Sequence, residues 1–262
     1  MKDILEEIVA DKRKEVRTAL TKKRSMKEAL RKSRSGIIAE FKRKSPSKGW
    51  IHAGAEPLEV IPRYAEEGAA ALSILTDETY FGGSPEYIVE VRKEVNTPIL
   101  RKDFIVHPYQ VYEAKVIGAD AILLIAADLA TAEYEVLLSL AHSLGLEVLL
   151  EVHDLKELDY LKVAIPDMLG VNNRHLGTFH TDVQVSFHIA ALMQEKLDNL
   201  RKAGMKEEDL PVLVSESGIS NQETVKALRQ VGFRGFLIGE CFMKEEDPGL
   251  ALKSFIQALE EK

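Results

Sequence analysis

Short runs of apolar residues recur along the chain, and each run ends in polar residues and is followed by a helical pattern. The run over residues 121–127 is apolar throughout instead of alternating, as expected of a strand buried on both faces of a parallel sheet. We predict about eight such strands, near residues 36–42, 71–76, 98–103, 121–127, 147–152, 168–173, 211–216 and 235–239. Strands that alternate with helices at this spacing indicate βαβ units.

Helix starts are well marked between these strands. Ser84 followed by Pro85 supplies an N-cap and a proline at the first helical position, and Pro108 can open another helix. Residues 154–157 and 220–223 resemble capping boxes. After strand six, we predict a long helix over about residues 186–202.

Eight βα units preceded by a charged helical segment predict a (β/α)₈ barrel, the TIM-barrel architecture. We expect one domain over residues 1–262, in which residues 1–35 form an N-terminal helical extension. A doubly wound open sheet is the alternative fold, with its ligand at a single switch point. Polar residues end most of the strands here, and this favours the barrel, whose active site gathers residues from many strand ends.

The composition of the chain narrows the classes of function to consider. The 262 residues carry a formal net charge of −7, which argues against general nucleic-acid binding but leaves room for a local basic pocket. Apolar runs are too short for a membrane span. The single cysteine, Cys241, excludes an internal disulfide and fits a cytoplasmic location. Histidines are scattered without a metal-binding pair, so we expect no metal site.

Charged residues at the ends of apolar strands are the main candidates for chemistry. Glu40 and Lys42 follow the first strand, and Lys102, Glu151 and Glu216 end three others. Lysines and carboxylates that converge on one barrel mouth shift each other's pKa values and can divide acid and base roles. The alternative is a structural ion-pair network that fills the top of the barrel.

Polar residues at other strand ends suggest an anionic ligand. Asn172 and Arg174 end strand six, and Arg offers a fork suited to a carboxylate or phosphate. Gly218 and Gly239 follow strands seven and eight, where such barrels often bind phosphate, although these glycines could simply make turns. Phe81 follows strand two and could stack on an aromatic substrate or anchor its loop.

The motifs together resemble the indole-3-glycerol-phosphate synthase family over nearly the whole chain, in order and at the expected spacing. They are Ile38-Ala39-Glu40-Phe41-Lys42-Arg43-Lys44-Ser45-Pro46-Ser47, Leu72-Ser73-Ile74-Leu75-Thr76-Asp77, Phe81-Gly82-Gly83-Ser84, Pro98-Ile99-Leu100-Arg101-Lys102-Asp103-Phe104-Ile105, Leu149-Leu150-Glu151-Val152-His153, Gly170-Val171-Asn172-Asn173-Arg174 and Ser215-Glu216-Ser217-Gly218-Ile219. The resemblance implies a (β/α)₈ barrel with an N-terminal helical segment. It also implies a lyase of tryptophan biosynthesis, which closes 1-(2-carboxyphenylamino)-1-deoxyribulose 5-phosphate to indole-3-glycerol phosphate with loss of CO₂ and water. No cofactor or metal is implied.

The resemblance also assigns roles to matching positions. Lys102 looks like the general acid of ring closure and Glu151 like an acid/base group in dehydration, while Lys42 contacts the substrate carboxylate or assists proton transfer. Glu40 is expected to orient the lysines and Asn172 to hold substrate hydroxyls. The remaining matches are expected to bind substrate or its phosphate; they are Ser45, Phe81, Arg174, Glu216, Ser217, Gly218, Gly239 and Glu240.

Other interpretations stay open at this point. A phosphoribosyl-anthranilate isomerase would require a cysteine at the end of strand one, where this chain has Glu40, and a tryptophan synthase α subunit would not need lysines at both 42 and 102. A non-catalytic barrel for assembly or ligand sensing is a different class of answer. Many family members have a small hydroxyl residue in place of Glu240, so we expect this carboxylate to turn away from the phosphate. Other enzymes of the tryptophan pathway are possible partners.

Overall fold

Eight parallel strands close into a barrel in the computed structural model, which describes residues 4, 8–14, 24–175, 177–178 and 180–261. Each strand pairs with its neighbours in sequence, and the first also pairs with the last, so the sheet has no open edge. The strands are β1 Ile37–Phe41, β2 Ala71–Leu75, β3 Ile99–Lys102, β4 Ala121–Ile125, β5 Glu147–Val152, β6 Met168–Asn172, β7 Val212–Glu216 and β8 Gly235–Ile238.

The predicted (β/α)₈ barrel is therefore confirmed, and the doubly wound sheet is excluded. Each observed strand falls within its predicted range, and most are shorter at one or both ends. The prediction for residues 121–127 was too long, because Ala126–Asp128 forms a 3₁₀ turn. An apolar run carries no mark of the point at which its backbone leaves the sheet.

Helices surround the barrel in the expected alternation. They are α1 Met26–Lys32, α2 Pro57–Glu66, α3 Glu78–Phe81, α4 Pro85–Val91, α5 Pro108–Ile117, α6 Thr131–Ser143, α7 Gln184–Lys202, α8 Gln222–Gln230, α9 Glu240–Met243 and α10 Pro248–Glu260. After β5 the crossover is instead the 3₁₀ helix Lys156–Lys162, which Asp154 caps from Oδ1. Ser84 caps α4 as predicted, whereas Asn221, and not Ser220, caps α8.

The amino-terminal end of the barrel is closed by α1. Met26 and Leu30 are buried in the same apolar cluster as the inward-facing residues of the barrel. Ser25 caps this helix, and the buried carboxylate of Glu147 accepts hydrogen bonds from Ser25 Oγ at 2.5 Å and from the Lys27 backbone N–H at 3.0 Å. This end of the barrel is thus sealed, and the opposite end is free for a site.

Part of the predicted N-terminal extension is visible as helix. Residues 8–14 are helical, as is α1, while residues 1–3, 5–7 and 15–23 lie outside the described part of the chain. A second apolar cluster fills the layer between the barrel and the outer helices. Among the described residues, none of the helices combines the length and apolar character that crossing a membrane requires.

Candidate active site

A cavity of about 890 Å³ lies at the carboxyl ends of the strands. Every candidate residue from the sequence lines it; these are Glu40, Lys42, Ser45, Phe81, Lys102, Glu151, Asn172, Arg174, Glu216, Ser217, Gly218, Gly239 and Glu240. Strand register contributes to the convergence, because it places Asn172 beside Glu216 and Leu75 beside Lys102 at the carboxyl ends of neighbouring strands. The cavity is large enough for a small-molecule substrate.

The ammonium group of Lys102 occupies the centre of this site. Its Nζ lies 3.1 Å from Glu151 Oε2 and 3.6 Å from Glu216 Oε2. The preceding residue, Arg101, points the opposite way, where it forms ion pairs with Asp103 and Glu113. Strand alternation thus sends Lys102 inward, while Arg101 ties the end of β3 to the outer layer.

The two carboxyl groups beside Lys102 are pushed toward different protonation states. Burial favours the neutral form of Glu151, but Lys102, His153 and Asn172 outweigh it and hold the pKa of Glu151 well below its usual range. Burial and the like charge of Glu151 raise the pKa of Glu216, against the opposing effect of Lys102. Together the carboxylates raise the pKa of Lys102 although burial opposes this. In this site Lys102 therefore stays positively charged and Glu151 stays negatively charged, while Glu216 retains its proton more readily.

Glu40 and Lys42 form a second ion pair at the end of β1, with 2.6 Å between Glu40 Oε1 and Lys42 Nζ. Glu40 is buried, and Gly239 of the loop after β8 packs directly on it. A Cβ at position 239 would lie 2.7 Å from Glu40 Oε1 and 2.9 Å from Glu40 Cβ, which is closer than such atoms approach. Gly239 is therefore needed at this position for close packing, and not only for a turn.

The loop after β7 is held in an unusual backbone conformation. Ser217 and Gly218 have φ values of 68° and 76°, and among the described residues Ser217 is the only non-glycine with positive φ. A buried side chain supports this loop, because Asn173 donates to the Ser217 carbonyl at 3.0 Å and to Ser215 Oγ at 3.1 Å. Ser186 donates to Asn173 Oδ1 in turn. Strained backbone that is this firmly held is common at ligand sites.

The opposite wall of the cavity is apolar. Leu123 and Ile125 face it from β4, and Phe81 and Phe104 come from the loops after β2 and β3. The two rings lie 6.2 Å apart between centroids and are tilted by 37°. In the closed barrel, β3 and β4 lie across from β7 and β8. The cavity therefore offers an apolar wall on one side, the polar loops Ser217–Gly218 and Gly239–Glu240 on the other, and charged groups between them.

The loop after β1 reaches across the mouth of the cavity. Its residues 44–50 form a small ribbon in which Lys44–Ser45 pairs with Gly49–Trp50. Arg174 donates to Ser47 Oγ at 2.8 Å, and Lys48 Nζ lies 2.5 Å from Glu240 Oε1. The carboxylate of Glu240 is thus paired with a cation of the first loop.

Two of the candidate residues have polar atoms that make no hydrogen bond. Ser45 Oγ and both carboxyl oxygens of Glu216 are buried without a hydrogen-bond partner among the described residues. Buried polar atoms are rarely left unpaired, and those that are often serve function. Asn172, by contrast, donates to Glu151 Oε1 at 2.9 Å and accepts from the Arg174 backbone N–H at 3.0 Å.

Some lining residues escaped the sequence analysis. Leu123, Ile125 and Leu237 carry no chemical signal, because an apolar residue in a strand looks the same inside and outside a barrel. Phe104 could have been found, since it lies two positions after Lys102 at the same strand end. In the described part of the chain, no group of three or more histidine, cysteine, aspartate or glutamate residues could hold a metal ion.

Fold and site together define an α/β-barrel enzyme, whose cavity brings lysine and glutamate side chains together at the carboxyl ends of the strands. Residues 2–255 match the family model described as Indole-3-glycerol phosphate synthase. The chain belongs to the indole-3-glycerol phosphate synthase family. It is a carboxy-lyase of tryptophan biosynthesis, and its small phosphorylated substrate is 1-(2-carboxyphenylamino)-1-deoxyribulose 5-phosphate. Ring closure with loss of CO₂ and water gives indole-3-glycerol phosphate.

Individual relatives agree with the family model. Indole-3-glycerol phosphate synthase of Bacteroides thetaiotaomicron is 53% identical, with 99% of this chain and 100% of the relative covered. The synthase of Carboxydothermus hydrogenoformans is 47% identical, with 85% of this chain and 79% of the relative covered. A solved chain from a study of the tryptophan synthase a2b2 complex of Pyrococcus furiosus superposes with a TM-score of 0.56 at 15% identity, with 86% and 97% covered. That last likeness concerns the fold alone.

Proposed function

We propose that the substrate lies across the cavity between its two unlike walls. The carboxyphenyl ring packs against Phe81, Phe104 and the β4 side chains, and the phosphate binds at Ser217–Gly218 and Gly239–Glu240. An apolar wall suits the ring because it removes aromatic surface from water. Glycine-rich loops suit the phosphate because backbone N–H groups can approach it closely. The substrate's reacting atoms then lie near Lys102.

Lys102 is proposed as the general acid of ring closure. When the ring carbon attacks the keto group, negative charge develops on the keto oxygen, and an ammonium placed beside it stabilises that charge. The raised pKa of Lys102, caused by Glu151, Glu216 and Glu40 against the effect of burial, keeps the group charged at neutral pH. The alkoxide is a strong base and can take the proton from Lys102 as it forms.

Glu151 and Glu216 are proposed to divide the work of dehydration. Glu151 enters this step ionised, so it first accepts a proton from the substrate and can then donate that proton, while Asn172 holds it in place at 2.9 Å. Glu216 retains a proton more readily and is proposed to hydrogen-bond a substrate hydroxyl, since neither of its carboxyl oxygens makes a hydrogen bond with the described residues. Two carboxyl groups whose environments push their pKa values apart are a common basis for such a division.

The remaining charged residues are proposed to bind and orient substrate. Lys42, paired with Glu40 at 2.6 Å, is proposed to hold the substrate carboxylate until CO₂ leaves. Glu40 keeps Lys42 in place, and Arg174 and Ser45 bind other polar groups. The observation that carries the whole assignment is the position of Lys102, half-buried in the cavity between two carboxyl groups.

Turnover by a Lys102→Ala variant tests this assignment. We expect kcat to fall by about 10²- to 10³-fold, as when one group that stabilises a developing oxyanion is removed. Indole fluorescence, followed without added metal or cofactor, measures product formation. Lys253→Ala is the matched control, because Lys253 forms a 3.0 Å ion pair with Glu67 outside the cavity.

Activity of the Lys102→Ala variant near that of the Lys253→Ala control would show that Lys102 is not the general acid of ring closure. Tight substrate binding by the unaltered chain without product would favour the sensing or assembly interpretation. We also propose that the enzyme acts in the cytoplasm. An association with other tryptophan-pathway enzymes stays a prediction.

A further inference from the structure

His153 lies directly behind Glu151 but does not line the cavity. His153 is the first residue after β5 and lies two positions beyond Glu151. His153 Nε2 lies 3.3 Å from Glu151 Oε1, the oxygen that accepts a hydrogen bond from Asn172. Neither ring nitrogen makes a hydrogen bond with the described residues, so the contact between His153 and Glu151 is an ion pair. The imidazole side chain is only 13% exposed.

Three carboxyl groups from three elements surround this imidazole. Besides Glu151, Glu157 from the 3₁₀ helix after β5 lies 3.7 Å from His153 Nδ1, and its carboxylate also accepts from the His153 backbone N–H at 2.6 Å. Asp128, from the turn after β4, interacts electrostatically with the imidazole. Burial and Glu151 raise the pKa of Asp128, and His153 opposes this rise. Among the described residues, this ring is the only positive group within ion-pair distance of Glu157, and none lies within that distance of Asp128.

Such surroundings favour the charged form of the ring. Burial lowers the pKa of His153, but the contacts with Glu151 and Glu157 outweigh burial and raise it to about 9. The ring is then an imidazolium at neutral pH, and it supplies a second positive charge to Glu151, on the oxygen that Lys102 does not contact.

We propose that His153 is a positioning residue that holds Glu151 ionised and correctly oriented for proton transfer. This inference rests on the proposed role of Glu151. Lys102 alone does not keep Glu151 ionised throughout the reaction. Its positive charge is shared with Glu216, and it gives up its proton during ring closure. At that moment the imidazolium, which never touches substrate, keeps Glu151 an anion for the step that follows.

Kinetics of a His153→Gln variant test the proposal, because Gln retains a hydrogen-bond donor without the charge. We expect kcat to fall about tenfold at pH 7.5 while KM stays within about twofold, since Glu151 acts in the chemistry more than in binding. In the unaltered enzyme, kcat should also fall as pH rises through about 9, because His153 then loses its proton and with it the ion pair that orients Glu151, which itself stays ionised. The variant should lack this alkaline step.

His142→Gln is the matched control. His142 forms a similar histidine–carboxylate pair with Asp167, at 2.8 Å, outside the cavity. The kcat of the His142→Gln variant and the alkaline fall in its kcat should equal those of the unaltered enzyme.

Histidine-ring NMR tests the coupling without any turnover. The signal that is lost in His153→Gln should titrate near pH 9 in the unaltered chain, and Glu151→Gln should move its midpoint to lower pH. By thermodynamic reciprocity, a ring that stabilises the Glu151 anion is itself stabilised as a cation by it.

Three results would overturn the proposal: kcat of His153→Gln within twofold of the control, an alkaline step that persists in that variant, or a His153 midpoint that Glu151→Gln leaves unchanged. Failure of the proposed function is a separate outcome. In that case the unaltered chain itself would form no product, while the NMR titration would still report the coupling.

Discussion

Gly170 determines where the carboxyl group of Glu216 can lie. This residue of β6 pairs with Glu151 in the barrel register, and it faces the interior between the two site carboxylates. A Cβ at position 170 would lie 2.3 Å from Glu216 Oε1 and 3.1 Å from Leu149 Cδ1. The space that a side chain would fill here is thus used by a carboxyl group of the site.

A Gly170→Ala substitution should therefore push Glu216 away from Lys102. We expect kcat to fall by about 10- to 100-fold, because a displacement near 1 Å within a catalytic site has effects of that size. Steady-state kinetics measure the loss, and urea unfolding shows whether the barrel remains stable. Gly54→Ala is the control, since nothing lies within 4 Å of a Cβ placed there. Equal activity of the two variants would contradict this role of Gly170.

The sequence identified most charged residues of the site because lysine and glutamate are rare at the ends of buried strands. The sequence did not show which of these charged residues pair with each other. Lys102 could have paired with any of three glutamates, and only the strand register shows that Glu151 and Glu216 are its partners. Gly170 opens one of the family motifs, but the sequence gave no sign of its function, which is to leave space for a residue far along the chain.

At the scale of elements, the loop after β1 and the short helix α9 meet over the polar end of the cavity. Lys48 of the loop pairs with Glu240 at the start of α9, and both side chains are partly exposed. The sequence predicted a carboxylate that turns away from the phosphate, but it did not predict the lysine that pairs with it. Local patterns show where a loop lies, and not which distant loop it contacts.

Glu240→Gln should improve phosphate binding, because it removes a negative charge beside the proposed phosphate site and frees Lys48. We expect KM to fall by about two- to fivefold, a modest change because exposed charges are screened by solvent. Inhibition by inorganic phosphate should strengthen in parallel, most clearly at low ionic strength. A higher KM in this variant would mean that the ion pair is needed to hold the loop in its binding position. Glu245→Gln, at an exposed Lys244–Glu245 pair, is the control.

At the scale of the whole molecule, the two ends of the barrel have separate tasks. α1 seals the amino-terminal end with Met26 and Leu30, and the site occupies the other end. This separation allows stability and activity to be changed independently. It is the arrangement expected of a barrel whose strand ends carry the chemistry.

Met26→Ala should weaken the fold while leaving the chemistry intact. The side chain is fully buried, so we expect a loss of about 2–5 kcal/mol of unfolding free energy from the cavity left behind. Thermal unfolding measures this loss, and kcat measured well below the melting temperature should stay within about twofold. Leu250→Ala, at a residue that is 53% exposed on α10, is the control and should cost little. A large drop in kcat at low temperature would contradict the separation of the two ends.

The sequence alone determined the architecture, since eight apolar runs alternating with helices have few other ways to bury their surfaces. It also determined the chemical types of the site residues and, through motif resemblance, the family. Only the tertiary structure decided which charges neutralise each other, which glycines make room for them and that His153 supports Glu151. Periodicity along the chain is a local property, whereas pKa shifts and steric limits arise between groups that folding brings together from distant positions.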